Sequence, residues 1–156
     1  MARVAKDGFT SLFNPDKFQR LRLDQPVLAS IQSTQEHEIA TGHCNALPAA
    51  ALAPMARAQI ARDAYMALKI EDRKARPVVL LAGNGHVRRD IGVPRRLRSD
   101  TNIYVAGFLE APADGATAAS RARYHHIVIT LAAERPNPCE AFLKSRASSG
   151  RMRPNS

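Results

Sequence analysis

Five apolar residues in a row, 78–82 (VVLLA), standing directly after Pro77, limit the folds open to this chain more than any other feature. A short uninterrupted run of this kind reads as a strand covered on both faces, the pattern of a parallel sheet with helices on each side. Gly83-Asn84-Gly85-His86 follows at once. In open α/β sheets ligands bind beyond the carboxyl ends of the strands, so this turn and its imidazole stand where a functional histidine is expected. The plainer alternative is a loop histidine that only hydrogen-bonds its surroundings. The Gly-x-Gly has no third glycine and no following Lys-Ser/Thr pair, so it is a poor match to a nucleotide-phosphate loop.

Two further runs, 102–109 (NIYVAGFL) and 124–130 (YHHIVIT), are rich in β-branched and aromatic residues and read as strands. The clearest helix is 52–70 (LAPMARAQIARDAYMALKI), built from strong helix formers, with Pro54 suited to a first turn. On a helical period, Leu52, Met55, Ala56, Ile60, Ala64, Met66, Ala67 and Ile70 share one side. Gln59 and Asp63 fall in the middle of that side, where a polar group is costly unless it finds a partner. Either they hydrogen-bond a neighbouring loop and fix the helix in place, or they face a ligand site. Weaker signals mark a short helix over 15–23, a loop or broken helix through 41–54, a loop or lid at 111–123 and a terminal helix at 139–146. The order of elements predicts an α/β fold with a central, mostly parallel sheet and flanking helices. Residues 1–39 are poorly determined, 40–146 form the principal region, and 147–156 read as a disordered basic tail.

With 156 residues the chain is one domain, and its 27 alanines and lack of Trp predict a core of small side chains. The 23 Lys+Arg against 14 Asp+Glu favour association with nucleic acid, anionic lipid or a carboxylate-bearing ligand. Interleaved aromatics and a recognisable DNA- or RNA-binding motif are missing, so nucleic acid is not the expected partner. Arg88, Arg89, Arg95, Arg96 and Arg98 either clamp carboxylates or phosphates or form a solvated basic rim. No stretch approaches the roughly 18 apolar residues of a membrane span, and 1–10 (MARVAKDGFT) has no signal-peptide core. Taken as written, the chain is expected to stay in the cytoplasm, with Cys44 and Cys139 as two free thiols. They stand too far apart for a zinc ribbon or a thioredoxin-type pair. His125 and His126, adjacent on a strand, point to opposite faces, so at most one joins a given site.

Four segments in order carry a family resemblance: 43–48 (HCNALP), 55–67 (MARAQIARDAYMA), 78–97 (VVLLAGNGHVRRDIGVPRRL) and 128–142 (VITLAAERPNPCEAF). Together they resemble the C-terminal half of the ChaN-like haem-binding proteins of the haem-binding uptake, Tiki superfamily, over about 40–145. The resemblance implies non-enzymatic haem binding in bacterial iron uptake, a ligand cleft on an α/β fold, and relatives that are periplasmic or anchored as lipoproteins beside membrane-associated uptake components. Gly83-Asn84-Gly85-His86 matches the superfamily's Gly-x-x-His motif, whereas the N-terminal Gly-Glu-x-His motif has no counterpart. This implies an incomplete half of the family fold, truncated, and prone to form a homodimer or self-associate through unpaired strand edges. The candidate haem contacts are His86 with Gly83, Asn84 and Gly85 in the cleft, Tyr65 or His43 as ligands, and Arg88 and Arg89 toward the propionates. Arg62-Asp63 matches the family's helix motif as a polar pair under the cleft. Cys44 and Cys139 fall in matched segments, where a loop-to-tail disulfide in exported relatives is the simple expectation and a local metal pair with His43 and Glu140 is conceivable. The alternatives are a metal-dependent hydrolase of the wider superfamily, with TraB-type proteins and erythromycin esterases, or a fragment without function.

Overall fold

In the computed structural model, which describes residues 2–23, 29–73, 75–111 and 118–150, the longest run of helix formers becomes α4, Ala49–Glu71. It begins at Ala49 after Pro48 rather than at Leu52, so Pro54 lies inside the helix and not in its first turn as expected. Of the eight buried residues of α4, four are alanines (Ala56, Ala61, Ala64 and Ala67), which lets neighbouring elements approach its backbone closely. Two of those neighbours are α1, Ala2–Asp7, and α3, Ala29–Gly42. Between them runs α2, Pro15–Arg20, whose first turn is capped by the Asn14 side chain accepting from the Lys17 N–H at 3.1 Å. The described part of residues 1–39, poorly determined from sequence, is thus largely helical, and it brings Val4, Phe13, Leu21 and Leu23 into one core with Ile60, Ala64 and Leu68. Leu21 and Ile60 are fully buried, each stabilising the fold by about 1.5–3 kcal/mol relative to exposure.

No helical apolar stripe announces α3, because it docks through polar groups. Its Gln35 is buried and donates to the Ile91 carbonyl at 3.3 Å, and its Glu38 accepts from Arg88 at 2.5 Å. The break expected through 41–54 is confined to 43–48. Cys44 and Asn45 both take left-handed backbone angles, with φ of 58° and 54°, and the Asn45 N–H reaches back to the Ala40 carbonyl at 2.8 Å.

A two-stranded parallel sheet joins β1, Ala106–Glu110, to β2, His126–Thr130, in a register that pairs Ala106 with His126 and Glu110 with Thr130. The connection between them holds α6, Ala118–Arg123; the rest of the expected lid, 112–117, lies outside the described residues. The fold is therefore α/β with flanking helices, as expected, but the sheet is smaller than expected. Residues 78–82 do not form the buried strand the run suggests. They enter no ladder among the described residues, and Val79 and Leu81 are 84% and 90% exposed. A strand buried on both faces needs a hydrogen-bonding neighbour and covering layers. Here Leu80 packs onto the core, and Val78, Val79 and Leu81 become one wall of an open cleft.

Beyond this run come the short helix α5, Asn84–Val87, and a 3-10 turn at Val93–Arg96. The terminal helix, α7, runs from Pro138 to Gly150 and so enters the stretch read as a disordered tail; 151–156 lie outside the described residues. Cys44 and Cys139 form a disulfide with their Cα atoms 5.5 Å apart, which corrects the expectation of free thiols. Among the described residues no helix is long and apolar enough to cross a membrane.

Candidate functional site

Three constellations surround the turn after residue 82. In the first, Asp63 of α4 is fully buried and lies 2.5 Å from Nδ1 of His86, whose side chain is 17% exposed. Gln59, one turn earlier, places Nε2 3.1–3.2 Å from the imidazole nitrogens and accepts from Arg62 at 2.9 Å. Burial pushes the Asp63 carboxyl above its ordinary value of 3.8, against the opposing hydrogen bond and charge of His86, and its Oδ2 has no hydrogen-bond partner among the described residues. Of the two readings of Gln59 and Asp63, bonding to a neighbouring loop is the one realised. The far side of the same turn is tied to the sheet, because Asn84 donates to the Phe108 carbonyl at 2.6 Å and the Tyr124 hydroxyl donates to the Asn84 carbonyl at 3.4 Å. The turn is a clip between α4 and β1.

The glycines expected to matter at this turn are not the ones that do. A Cβ on Gly83 or Gly85 would meet open space, whereas one on Gly92 would stand 2.1 Å from the His86 carbonyl oxygen and 2.9 Å from that of Arg88. Gly92-Val93-Pro94 carries the relevant signal in the sequence, as a turn that packs back on the His86 backbone. Gly107 is similarly placed, with the Tyr124 ring 2.8 Å from its would-be Cβ.

The second constellation consumes Arg88. Its guanidinium is buried and bonded to Asp90 at 2.9 and 2.6 Å and to Glu38 at 2.5 Å. Burial works against its charge, but these carboxylates outweigh it and raise its pKa above the ordinary value. Asp90 is likewise desolvated, yet its bonds to Arg88 hold it below 3.8. Arg88 therefore anchors α3, its guanidinium bonded to the carboxylates of Asp90 and Glu38. Arg89 is exposed, its N–H donating to the Arg123 carbonyl at 3.0 Å. Arg96 is buried and donates to the carbonyls of Leu21 and Arg22 at 3.5 and 3.2 Å; burial lowers its pKa, although Asp63 partly opposes this.

The third is an apolar cleft of about 810 Å³ between residues 76–81 and 97–108. Val78, Val79 and Leu81 form one wall, Ile103, Tyr104 and Phe108 the other, with Arg76 and Arg98 at the rim. Arg98 is paired with Asp100 at 2.5 and 3.0 Å. Tyr104 is 75% exposed and stacks on His125, with ring centroids 5.5 Å apart, while His125 Nδ1 accepts from the Val105 N–H at 2.9 Å. A smaller depression of about 230 Å³ shares the wall at 78–80 and carries Tyr65, over whose ring the Lys69 ammonium sits at 5.3 Å. His43 is elsewhere, its Nδ1 2.7 Å from the Ile39 carbonyl and its ring edge-on to Phe142.

The sequence candidates are thus distributed, not gathered: His86, Arg88, Arg89, His43 and Tyr65 do not line the large cleft. Tyr104 and Phe108 do, and the sequence marked them only as strand residues. Among the described residues no group of three His, Cys, Asp or Glu side chains is placed to hold a metal ion.

A family model described as haem-binding uptake, Tiki superfamily, ChaN, matches residues 1–97. The resemblance placed at 40–145 is corrected by this match, which takes in the first 39 residues and ends before β1. A restriction to the C-terminal half is not supported. No curated protein matches the chain. No solved structure matches it either.

Proposed function

The chain belongs to the ChaN family of haem-binding uptake proteins in the Tiki superfamily, and from that premise we propose that it binds haem in the cleft between 78–81 and 103–108. The observation that carries this reading is the cleft itself. Its volume lies in the range of small-molecule and cofactor sites, and its walls are apolar enough to replace water around a porphyrin face. Among the described residues no His, Cys or Met lines it, so the phenol of Tyr104 is the side chain best suited to hold ferric iron, with Arg76 at the rim for a propionate. Bound haem would supply the iron centre. The protein's part is to exclude water and to orient the ring by its walls. His86 contributes from behind, because its clip to Asp63 holds the turn whose Asn84 is bonded to Phe108 on the cleft wall.

The role is haem or iron handling and not catalysis. The disulfide supports a place in an oxidising compartment outside the cytoplasm, where such bonds persist. Titrating haemin into the purified chain tests the reading through the Soret band. Saturable binding is expected, with Tyr104→Phe moving the band and weakening affinity by about tenfold or more, roughly 1.4 kcal/mol. Unsaturable binding, or a Tyr104→Phe protein with an unchanged band and affinity, would overturn it.

A further inference from the structure

We propose that the Cys44–Cys139 disulfide is a reducible latch that holds α7 against the turn between α3 and α4. The bond joins positions 95 residues apart, one just past the end of α3 and the other in the first turn of α7. Over 139–144 only Cys139 and Phe142 turn inward, and both are half-buried; Glu140, Ala141, Leu143 and Lys144 are exposed. Phe142 meets the His43 ring edge-on at 6.1 Å, directly beside the disulfide. The chain leading to α7, residues 131–137, has no regular structure and is exposed, and its bidentate ion pair between Arg135 and Glu110 ties this segment, not α7 itself, to β1 on the solvent-screened surface. Over 139–144, little apolar burial would therefore keep the helix docked once the bond opens.

The chemistry needs a reductant, and a protein or small-molecule dithiol is the class that fits. Its thiolate attacks one sulfur of the Cys44–Cys139 bond and expels the other as thiolate. Its second thiol then resolves the mixed disulfide, leaving two cysteine thiols and an oxidised dithiol, a transfer of two electrons and two protons. Both cysteines are half-buried and lie next to the exposed residues Asn45 and Glu140, so an attacking thiol can approach. Freed α7 has 13 residues, too short to persist as an isolated helix in water. Its departure uncovers the His43 imidazole beside the new Cys44 thiol.

Hydrogen exchange on the full chain, oxidised and after treatment with dithiothreitol, tests this, with the Cys44→Ser/Cys139→Ser protein as a reagent-free control. The expected result is that amides of 138–150 exchange about tenfold faster or more on reduction while those of α4 keep their protection. Diethylpyrocarbonate should also modify His43 faster in the reduced protein. Unchanged exchange over 138–150 would mean that noncovalent contacts hold α7. Equal acceleration in α4 would mean that the bond staples the whole fold. Either outcome overturns the latch.

Discussion

Removing the imidazole of His86 should damage the fold in a way that depends on pH. Asp63 is fully buried, His86 is the hydrogen-bond partner of its Oδ1, and its Oδ2 has none among the described residues. His86→Ala therefore leaves a buried carboxylate without its hydrogen-bond partner, the charges of Arg96 and Arg62 being its remaining electrostatic support. Breaking a buried pair from one side costs about 3–5 kcal/mol, a large share of the roughly 5–15 kcal/mol that holds a domain of this size together. The carboxyl has an escape: burial already lifts its pKa above 3.8, so acidification lets it take up a proton and lose the charge. As pH falls through the raised folded value the cost should shrink toward that of one neutral hydrogen bond, about 1 kcal/mol. Urea unfolding of the parent and His86→Ala proteins from about pH 7 down through that value measures both limits. In an Asp63→Asn background the same substitution should cost about 1 kcal/mol at either end of that range. A loss below about 1 kcal/mol at neutral pH, or one that does not change with pH, would refute the clip between α4 and β1.

Asp90 and Asp63 should give opposite pH slopes. Asp90 lies below 3.8 because Arg88 outweighs its burial, so its stabilisation is present above 3.8 and lost as pH falls through the folded value; Asp90→Asn should remove that acid-side loss in urea titrations. Asp63 lies above 3.8, so its stabilisation is complete below 3.8 and lost as pH rises through the folded value, and Asp63→Asn should flatten that segment of the curve. Gly92→Ala drives a methyl into the backbone of His86 and Arg88, which has no flexible end to yield, and should cost about 3 kcal/mol or more in thermal denaturation; a loss under about 1 kcal/mol would contradict the close approach. Val79, Leu81, Tyr104 and Phe108 expose a broad apolar surface, so the haem-free chain should self-associate in sedimentation velocity and haem should reverse it. A haem-free chain that sediments as a monomer at high concentration would count against that surface being open.

Local chemistry was legible in the sequence. The helix formers of 52–70, the short helix over 15–23, the β-branched content of 124–130 and a break within 41–54 each depend on signals a few residues long, so each could be read without the fold. The small-residue core was legible too, since 27 alanines leave few other ways to fill the interior. So was the polar pair Gln59 and Asp63, because a helical period alone places it on the buried side of α4. What only the tertiary structure decided was who meets whom. Nothing near Asp63 in sequence identifies His86 as its partner, and nothing near Arg88 identifies Glu38, because those contacts close loops of 23 and 50 residues. The run at 78–82 has the composition of a buried strand, but burial depends on neighbours that the run itself cannot supply. Lacking a ladder partner among the described residues, it became the wall of a cleft, and Tyr104 across that cleft became the residue to test. Hydrophobic patterning states which side chains should leave water. The surfaces available to receive them are settled only when the whole chain is packed.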